Sequence, residues 1–262
     1  MQLPRRIGWL HARGLWSFYR FGLLRMLRFG LEVFVGPVLS ALLFLLVFAI
    51  AIEGTQVLPG GLSFQQFLAP GIAMFTLTHS AFSMAAFPLV YDKMEGTIQD
   101  VLMSPLGPLE VAVGYVLPGL TVGVLTGGAT LAVAALVIPI PMPAPGVLVF
   151  FALAAGLLFA MLGSIVGLAA RKWDQLATAD TFLMLPLAFL SGAFFTLDGL
   201  PELGRTLIAF NPVFYAIDGA RYAALGIREA PVLTGAGVVL GLNALVGVLV
   251  WRLFAIGFRL KP

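Results

Sequence analysis

Long apolar stretches alternate with short polar segments along nearly the whole chain. Six of these stretches reach or approach the roughly 20 apolar residues that an α-helix needs to cross the hydrocarbon core of a membrane. None of the six contains a lysine, arginine, aspartate or glutamate. They cover residues 33–52, 68–90, 111–138, 147–170, 181–197 and 232–251. The pattern predicts an all-α, polytopic membrane protein with six transmembrane helices, forming one transmembrane domain over residues 1–262.

The composition agrees with a lipid-embedded chain and excludes several kinds of site. Hydrophobic residues make up 60% of the sequence and charged residues 10%, whereas soluble domains carry about 25% charged residues. There is no cysteine, which excludes disulfides and thiolate sites. Two histidines, His11 and His79, are too few for a histidine-based metal site. The net charge of +3 does not indicate nucleic-acid binding, because the basic residues lie beside the apolar stretches.

The basic residues indicate how the chain is oriented in the membrane. With the N-terminus in the cytoplasm, the inner segments hold twelve lysines and arginines, and the outer segments hold three, namely Arg205, Arg221 and Arg228. Cytoplasmic loops of membrane proteins carry an excess of basic residues. We therefore expect both termini to be cytoplasmic.

The arm at residues 5–28 has a pattern of its own. Arg6, Arg13 and Arg20 recur every seven residues, two tryptophans lie beside them, and no acid occurs before residue 29. Basic residues and tryptophans are typical of a helix that lies in the headgroup layer. The arm is predicted to be such an interfacial helix, and the alternative is a plain topology anchor.

The loop at residues 92–110 is short, acidic and rich in proline. Thr97 is expected to cap a brief helix that runs through Met103, and the Ser104-Pro105 pair is expected to end it. Such a rigid loop fits a groove on a partner protein. The alternative is a simple solvated turn.

The segment at residues 198–231 lies between the last two apolar stretches. It has too few apolar residues between Arg205 and Asp218 to cross a membrane. Together with the short preceding stretch, it predicts helices that dip into the outer leaflet and return, packed against protein. Asp218 and Arg221 are three residues apart, which predicts a local ion pair with a structural role.

Small residues recur every fourth position in the third stretch, at Gly119, Gly123 and Gly127. The same spacing occurs at Gly163 and Gly167 and again at Gly237 and Gly241. Such stripes let helix backbones approach closely. Packing within the chain is the favoured interpretation, with contact between subunits as the alternative.

Several catalytic and transport chemistries are missing from the sequence. No glycine precedes any of the three lysines, so there is no nucleotide-binding P-loop and we expect that the chain does not hydrolyse ATP. No acid lies within the six stretches, which removes the usual groups for ion coupling. The second stretch carries polar residues that either line a translocation path or, as we favour, form hydrogen bonds between helices. These are Thr76, Thr78, His79, Ser80 and Ser83.

Two blocks of residues resemble the type-2 ABC exporter permeases. The loop sequence Glu95-Gly96-Thr97, followed by Leu102 and Ser104-Pro105-Leu106, is similar to the first cytoplasmic loop of that family. The second block is FLSGAFFTLDGLP, at residues 189–201. It is followed by Asn211-Pro212, Tyr215, Asp218, Arg221-Tyr222 and Leu225-Gly226. The pattern is nearest to bacterial permeases grouped with daunorubicin, nodulation-factor and polysaccharide exporters.

The resemblance implies a permease subunit of an ATP-driven exporter in the bacterial inner membrane. Two copies of a separate P-loop ATPase would bind ATP and magnesium, and this chain would hold no cofactor. A second permease copy would complete a homodimer surrounded by membrane lipid.

The resemblance also assigns roles to parts of the chain. Residues 5–28 would be the interfacial connecting helix. The coupling loop at 92–110 would receive the ATPase motion through Glu95, Gly96, Thr97, Leu102, Ser104 and Pro105. The re-entrant segment at 198–231 would include Asn211, Pro212, Tyr215, Asp218 and Arg221.

The expected cargo follows from the uncharged spans. A path without charge suits an amphipathic or lipid-linked substrate such as a lipid, a glycolipid or polysaccharide, or a drug. Export rather than import is implied by the resemblance alone. Two other classes stay open, namely an ion-coupled secondary transporter and a non-transporting scaffold that recruits an ATPase.

Overall fold

Helices make up almost all of the computed structural model, which describes residues 12–28, 31–51, 57–58, 61–195 and 201–260. The N-terminal two thirds of the chain contain α1 (Ala12–Arg28), α2 (Leu31–Ala51), α3 (Phe64–Met94), α4 (Ile98–Met103), α5 (Pro108–Val137) and α6 (Pro145–Ala169). The chain continues with α7 (Trp173–Ala179), α8 (Leu185–Phe189), α9 (Glu202–Ala209), α10 (Pro212–Leu225) and α11 (Val232–Ala255). A π-helical turn, Asp180–Met184, joins α7 to α8. Two short antiparallel strands, β1 (Val57–Leu58) and β2 (Leu62–Ser63), precede α3.

Four helices are long and apolar enough to cross a membrane, namely α3, α5, α6 and α11. The helix α2 contains a shorter apolar segment, Glu32–Phe48. The prediction of an all-α, polytopic membrane protein is confirmed. Residues 5–11 of the predicted N-terminal helix and 198–200 of the predicted outer segment lie outside the described residues.

The fifth apolar element differs from its prediction. The helical path begins at Trp173, eight residues before the predicted start at residue 181, and α8 ends at Phe189. The ring of Trp173 packs 4.8 Å from the ring of Phe87 on α3. The predicted stretch was defined by uninterrupted apolar residues, and it therefore begins only after the charged Asp180. For that reason the prediction missed the first two turns of this element, Trp173–Ala179.

The helix α3 lies at the centre of the bundle and packs against α2, α5, α6 and α10. Its first turn is fixed by a capping box, in which the Ser63 hydroxyl accepts from the Gln66 amide and the Gln66 side chain accepts from the Ser63 amide. We name the two ends of the bundle after nearby helices. The α4 end is where α3 passes into α4, and the α10 end is the opposite one, where α10 packs near the start of α3.

Small residues bring α5 and α6 close to α3. Gly119, Gly123 and Gly127 of α5 face Ala73, Leu77, Ala81 and Ala85 of α3, so that an added Cβ would meet α3 atoms at 2.5–2.9 Å. Gly163 and Gly167 of α6 lie against the backbone at Phe82 and Ala86 of α3. The close approach gives these helices extensive dispersion contacts, which stabilise membrane bundles in place of a hydrophobic driving force.

The glycines at the same spacing in α11, Gly237 and Gly241, do not form such a contact. A Cβ at Gly237 or Gly241 of α11 would have no neighbour within 4 Å among the described residues. The expectation of close helix packing is therefore wrong for this pair. The two glycines lie on an exposed face of α11.

Replacement of Gly123 by alanine should destabilise the bundle, whereas the same change at Gly128 should not. A Cβ at position 123 would lie 2.7 Å from the Leu77 carbonyl oxygen and from the Ala81 Cβ, but position 128 of the same helix has open space. We expect Gly123→Ala to cost about 1–3 kcal/mol. We expect Gly128→Ala to be neutral or to gain up to about 1 kcal/mol from helix propensity. Thermal unfolding in detergent measures both, and equal midpoints would contradict the packing described here.

Candidate functional site

A buried carboxylate at the α4 end of the bundle joins four segments of the chain. Asp92, near the end of α3, has 3% of its surface exposed. Its Oδ1 accepts from the Arg25 Nη1 at 2.6 Å and from the Thr97 hydroxyl at 3.0 Å. Its Oδ2 accepts from the Tyr115 hydroxyl at 2.7 Å. One side chain therefore ties α1, α3, the start of α4 and α5 together, and we refer to Asp92, Arg25, Thr97 and Tyr115 as the Asp92 cluster.

The backbone after α3 is shaped to bring Thr97 back to Asp92. Gly96 has a φ of +76°, a left-handed conformation that glycine adopts without strain. The turn lets the Thr97 hydroxyl reach Asp92, and this hydroxyl makes no capping bond to α4. The helix at 98–103 was predicted correctly, but the predicted capping by Thr97 was wrong. Thr97 has helical backbone angles, φ −67° and ψ −14°, rather than the extended conformation from which a threonine oxygen usually accepts from the first amides of a helix.

The six residues predicted for coupling lie in and around α4. Its buried Ile98 packs into the bundle core, while Leu102 and Met103 are exposed, Met103 to 77%. Glu95, Gly96 and Pro105 are also exposed, and the Ser104 hydroxyl bonds to the Val101 carbonyl at the end of the helix. The helix thus rests on the bundle by one face and presents two large apolar side chains on the other.

Cations cover the end of α6 beside this loop. The Lys93 Nζ donates to the carbonyls of Gly167, Leu168 and Ala170, and the Arg259 Nη1 donates to the Ala169 carbonyl at 2.6 Å. Positive charge at the C-terminal end of a helix satisfies its free carbonyls and opposes its dipole. A cavity of about 300 Å³ opens here. It is lined by Lys93, Gly96, Ile98, Gln99, Arg171, Arg259 and Leu260.

The helix α1 is attached to α5 over several turns. The Phe18 ring packs edge-on against Tyr115 at 5.2 Å and lies over Gly114. The Tyr19 hydroxyl lies 3.0 Å from the Thr121 hydroxyl. On the other side, Arg13, Trp16 and Arg20 are exposed. With Arg25 bound to Asp92, α1 is held to the bundle by contacts that also reach the α4 loop.

A second region of interest is a cavity of about 470 Å³ between α2, α3 and the fifth apolar element. Of the five polar residues predicted on α3, Thr76 and His79 line it. The hydroxyls of Thr76 and Thr78 bond to carbonyls of their own helix, at Ile72 and Phe75. For these two threonines the favoured interpretation, hydrogen bonding between helices, was wrong. Ser80 is buried and Ser83 is half-buried.

His79 makes a contact with another helix that the sequence did not indicate. Its Nε2 lies 3.1 Å from Asp180 Oδ1 and 3.3 Å from Oδ2. Asp180 is the first residue of the π-helical turn, and π-helical turns are often found at functional sites. The uncharged stretch at 181–197 is therefore preceded by an acid on the same helical path, because the fifth element starts at Trp173 and carries Asp180 along the side of α3.

The outer segment is joined to the bundle through Arg221 on α10. Its guanidinium donates to the carbonyls of Gly192 and Ala193, both at 2.7 Å, and to the Phe67 carbonyl at 3.3 Å. It also lies 3.5 Å from the centre of the Phe67 ring. Arg221 is 2% exposed, so these contacts replace its hydration with carbonyl oxygens and an aromatic face.

Asp218 bonds elsewhere, and the predicted ion pair with Arg221 is wrong. Its two carboxylate oxygens accept from the amides of Glu229 and Ala230, at 2.7 and 3.0 Å. The physical reason is that backbone amides and carbonyls of other segments lie within hydrogen-bonding distance of the two side chains. The buried pair thus connects α10 to two different segments.

The remaining residues predicted in the outer segment shape the start of α10. The Asn211 side chain caps α10 by accepting from the Val213 amide at 2.9 Å, and its amide group donates to the Leu187 carbonyl at 2.8 Å. Pro212 occupies the first turn, where it loses no helix hydrogen bond. The Tyr215 hydroxyl donates to the Ala209 carbonyl.

Replacement of Arg25 by glutamine should destabilise the protein, and Arg20→Gln should serve as its matched control. Arg25 supplies the cation to a buried carboxylate, whereas Arg20 is exposed on the same helix. Loss of one partner of a buried ion pair costs about 3–5 kcal/mol, and the remaining bonds from Thr97 and Tyr115 should keep the loss toward the lower value. Thermal unfolding with both variants measures the difference, and similar midpoints would contradict the role given to Asp92.

Proteins of similar sequence include two that are named as transport permeases. The chain is 26% identical over 255 residues to the inner membrane transport permease YadH of Escherichia coli K12, covering 97% of this chain and 98% of that protein. It is 30% identical over 189 residues to nodulation protein J of Rhizobium leguminosarum bv. viciae, covering 68% and 70%. It is 22% identical over 158 residues to the probable multidrug ABC transporter permease YbhR of E. coli K12, covering 60% and 43%.

The family comparison covers most of the chain. Residues 13–225 match the model of the ABC-2 type transporter family, a range that includes α1, the Asp92 cluster, both cavities' α3 residues and α10. A multi-pass membrane protein with these relatives acts as a membrane subunit of an ABC transporter, alongside an ATP-binding partner. The chain therefore belongs to the ABC-2 type transporter family.

Proposed function

We propose that this chain is the permease subunit of an ATP-driven exporter for an amphipathic or lipid-linked substrate. One observation carries the proposal, namely that α4 presents Leu102 and Met103 outward while Thr97 joins its start to the buried Asp92. Such a short helix offers an apolar contact to a partner and a rigid connection to the bundle. Family membership supplies the class of partner, a P-loop ATPase.

The α4 end of the bundle is the cytoplasmic side in this proposal. Lys93, Arg171, Lys172, Arg252 and Arg259 all belong to segments at this end, which agrees with the excess of basic residues in cytoplasmic loops. Both termini then lie in the cytoplasm, α1 lies at the inner membrane surface, and the segment from α9 to residue 231 faces the other side.

In this mechanism a displacement of α4 must be transmitted to the membrane helices of the bundle. Closure of the ATPase on ATP would displace α4, and the Asp92 cluster would carry that displacement to α1, α3 and α5. Because α3 packs tightly against α5 and α6 through small residues, these helices would move as one body. ATP acts on the permease only through a difference in the affinity of the ATPase for its two states.

The assembly would contain two permeases and two ATPase subunits, with ATP and magnesium held by the latter. No lysine in this chain follows a glycine, which supports the absence of its own P-loop. Bacterial inner membrane localisation is supported by the similarity to YadH of E. coli, an inner membrane transport permease by name.

A second candidate function is ion-coupled secondary transport. It is favoured by the His79–Asp180 pair, since ionisable residues within membrane spans often serve as proton or ion relays. A purified chain that captures no ATPase, and whose activity follows an imposed proton gradient, would replace the ABC proposal. ATP-dependent activity without such a gradient would exclude the second candidate.

Replacement of Leu102 by glutamate should prevent capture of the ATPase. A charge in the centre of an apolar contact is desolvated without a partner, and hot-spot changes of about 2 kcal/mol or more weaken binding by more than tenfold. The matched control is Leu203→Glu, because Leu203 is also an exposed leucine but lies on α9 in the outer segment. Pull-down in mild detergent with mass spectrometry measures recovery of the ATPase.

Undiminished recovery with Leu102→Glu, at normal permease levels, would remove α4 from the contact. Charge reversal by Glu95→Lys tests the neighbouring exposed position in the same assay. Failure of every variant, including the wild type, to recover a P-loop ATPase would contradict the proposed function itself.

Replacement of Thr97 by valine should separate ATPase binding from coupling. The variant keeps the exposed face of α4 but loses the 3.0 Å hydrogen bond to Asp92, a bond worth about 1 kcal/mol, so that coupling should fall about fivefold. Hydrogen exchange in α1 and α5 after addition of ATP and vanadate reports the coupling without a known cargo. Thr206→Val on α9 is the control, and an unchanged response in Thr97→Val would contradict the proposed connection.

A further inference from the structure

The His79–Asp180 pair lies at the mid-depth of the bundle. The helix α3 has 31 residues and is therefore about 46 Å long, and His79 is fifteen residues from either end. Asp180 is within 3.3 Å of the His79 ring, so its carboxylate lies at the same depth. An ionisable residue at the centre of a membrane is costly, and it usually faces a bundle interior or a wet cavity and takes part in function.

The pair is not sealed inside the bundle. The His79 side chain is 36% exposed and the Asp180 side chain 37%. At this depth the exposed fraction faces lipid, a wet cavity, a ligand or another protein. Hydrocarbon does not solvate a carboxylate, so water, a ligand or a polar group of another protein is the favourable surrounding for the pair.

The cavity beside the pair is apolar and aromatic. His79 lines it together with the rings of Phe44, Phe75, Phe189 and Phe194. No lysine or arginine is among the residues that line it in the described part of the chain. Its polar lining residues are Ser40, Thr76 and His79. Asp180 is not among the lining residues but lies directly beside His79, within 3.1–3.3 Å of its Nε2.

Charge and ring chemistry both favour a positively charged ligand. With the imidazole neutral, the Asp180 carboxylate leaves the pair with one net negative charge, and such a charge acts strongly where the surroundings have a low dielectric constant. The faces of phenylalanine rings carry the negative part of the ring quadrupole and attract cations within about 6 Å of the ring centre. If His79 donates its Nε2 hydrogen to Asp180, its Nδ1 remains an acceptor for a donor group on the ligand.

We infer that the His79–Asp180 pair and the adjoining phenylalanine cavity bind an amphiphile with a cationic head and an apolar body. The inference rests on the proposed function in one respect, namely that this cavity belongs to the path of the cargo. The apolar body occupies the cavity between α2, α3 and α8, and the cationic head lies beside the pair.

A plain structural role for the pair makes a different prediction. If the contact serves to hold the fifth element against α3, its removal would lower stability and would leave no preference for the charge of a ligand. Coverage of the pair by a second copy of the chain would likewise give no such preference. Discrimination by the sign of the ligand charge is therefore the decisive measurement.

Tetraphenylphosphonium and tetraphenylborate provide the probes, because they share shape and apolar surface but differ in charge. Binding of each radiolabelled ion is measured on the full chain in lipid nanodiscs, and the value for empty nanodiscs is subtracted. We expect the wild type to bind the phosphonium at least about tenfold more tightly than the borate, from the carboxylate charge at short range.

The variant Asp180→Asn should abolish this preference and leave binding of the borate unchanged or stronger. The control Asp174→Asn removes an exposed carboxylate of the same element two turns earlier and should keep the preference. The variant Phe75→Leu keeps the apolar surface and removes a ring face, and it should weaken binding of the phosphonium ion severalfold. A second readout of folding, the thermal unfolding midpoint, accompanies each variant.

Equal affinity of the wild type for the two ions would overturn the inference, as would a preference that survives Asp180→Asn. If Asp180→Asn does not fold, Asp180→Gln tests the same point, because it also removes the carboxylate charge while keeping a group that can bond to His79. Recovery of the ATPase in the same preparations separates the two proposals. Recovery of an ATPase complex that shows no preference for the cation would leave the proposed function intact and contradict the cation site. A preference for the cation without recovery of any ATPase would support the cation site and contradict the proposed exporter function.

Discussion

The buried carboxylate of Asp92 is the constraint on which the α4 end depends. It is almost fully buried, and its oxygens accept hydrogen bonds from Arg25, Thr97 and Tyr115, which compensate for its loss of hydration. Each of these partners comes from a different segment. The positions of α1, of the turn at Gly96 and of the first part of α5 are therefore not independent, and a displacement of one affects the geometry of the others.

In the proposed mechanism, this arrangement would let a small loop act on a large bundle. The helix α4 has six residues and could not move several membrane helices through its own packing. The helix α3, however, is continuous from the Asp92 cluster to the Ser63 capping box, and glycines of α5 and α6 lie directly on it. Close-packed interiors transmit displacement because they deform little. The three helices and the cluster together form one mechanical unit.

The sequence predicted the fold well and the site in part. Apolar stretches are long-range signals of membrane helices, and the predicted coupling loop has the helix expected of it at 98–103. Asp92 was missed because the partners that make it important, Arg25 and Tyr115, are distant in sequence. Asp180 was missed because a search for uncharged stretches excludes a charged residue by design. The ion pair predicted between Asp218 and Arg221 failed because spacing along a helix does not reveal nearby carbonyls and amides of other segments.

The attachment of α10 has a consequence for variation among related chains. Arg221 binds the backbone carbonyls of Phe67, Gly192 and Ala193, and backbone oxygens are present whatever side chain a residue carries. These bonds therefore do not depend on which side chains occupy positions 192 and 193, although the left-handed φ of +69° at Gly192 and the full burial of Ala193 restrict both positions. Exposed side chains elsewhere at this end of the protein can vary without loss of the attachment, because Arg221 makes these bonds to backbone atoms alone.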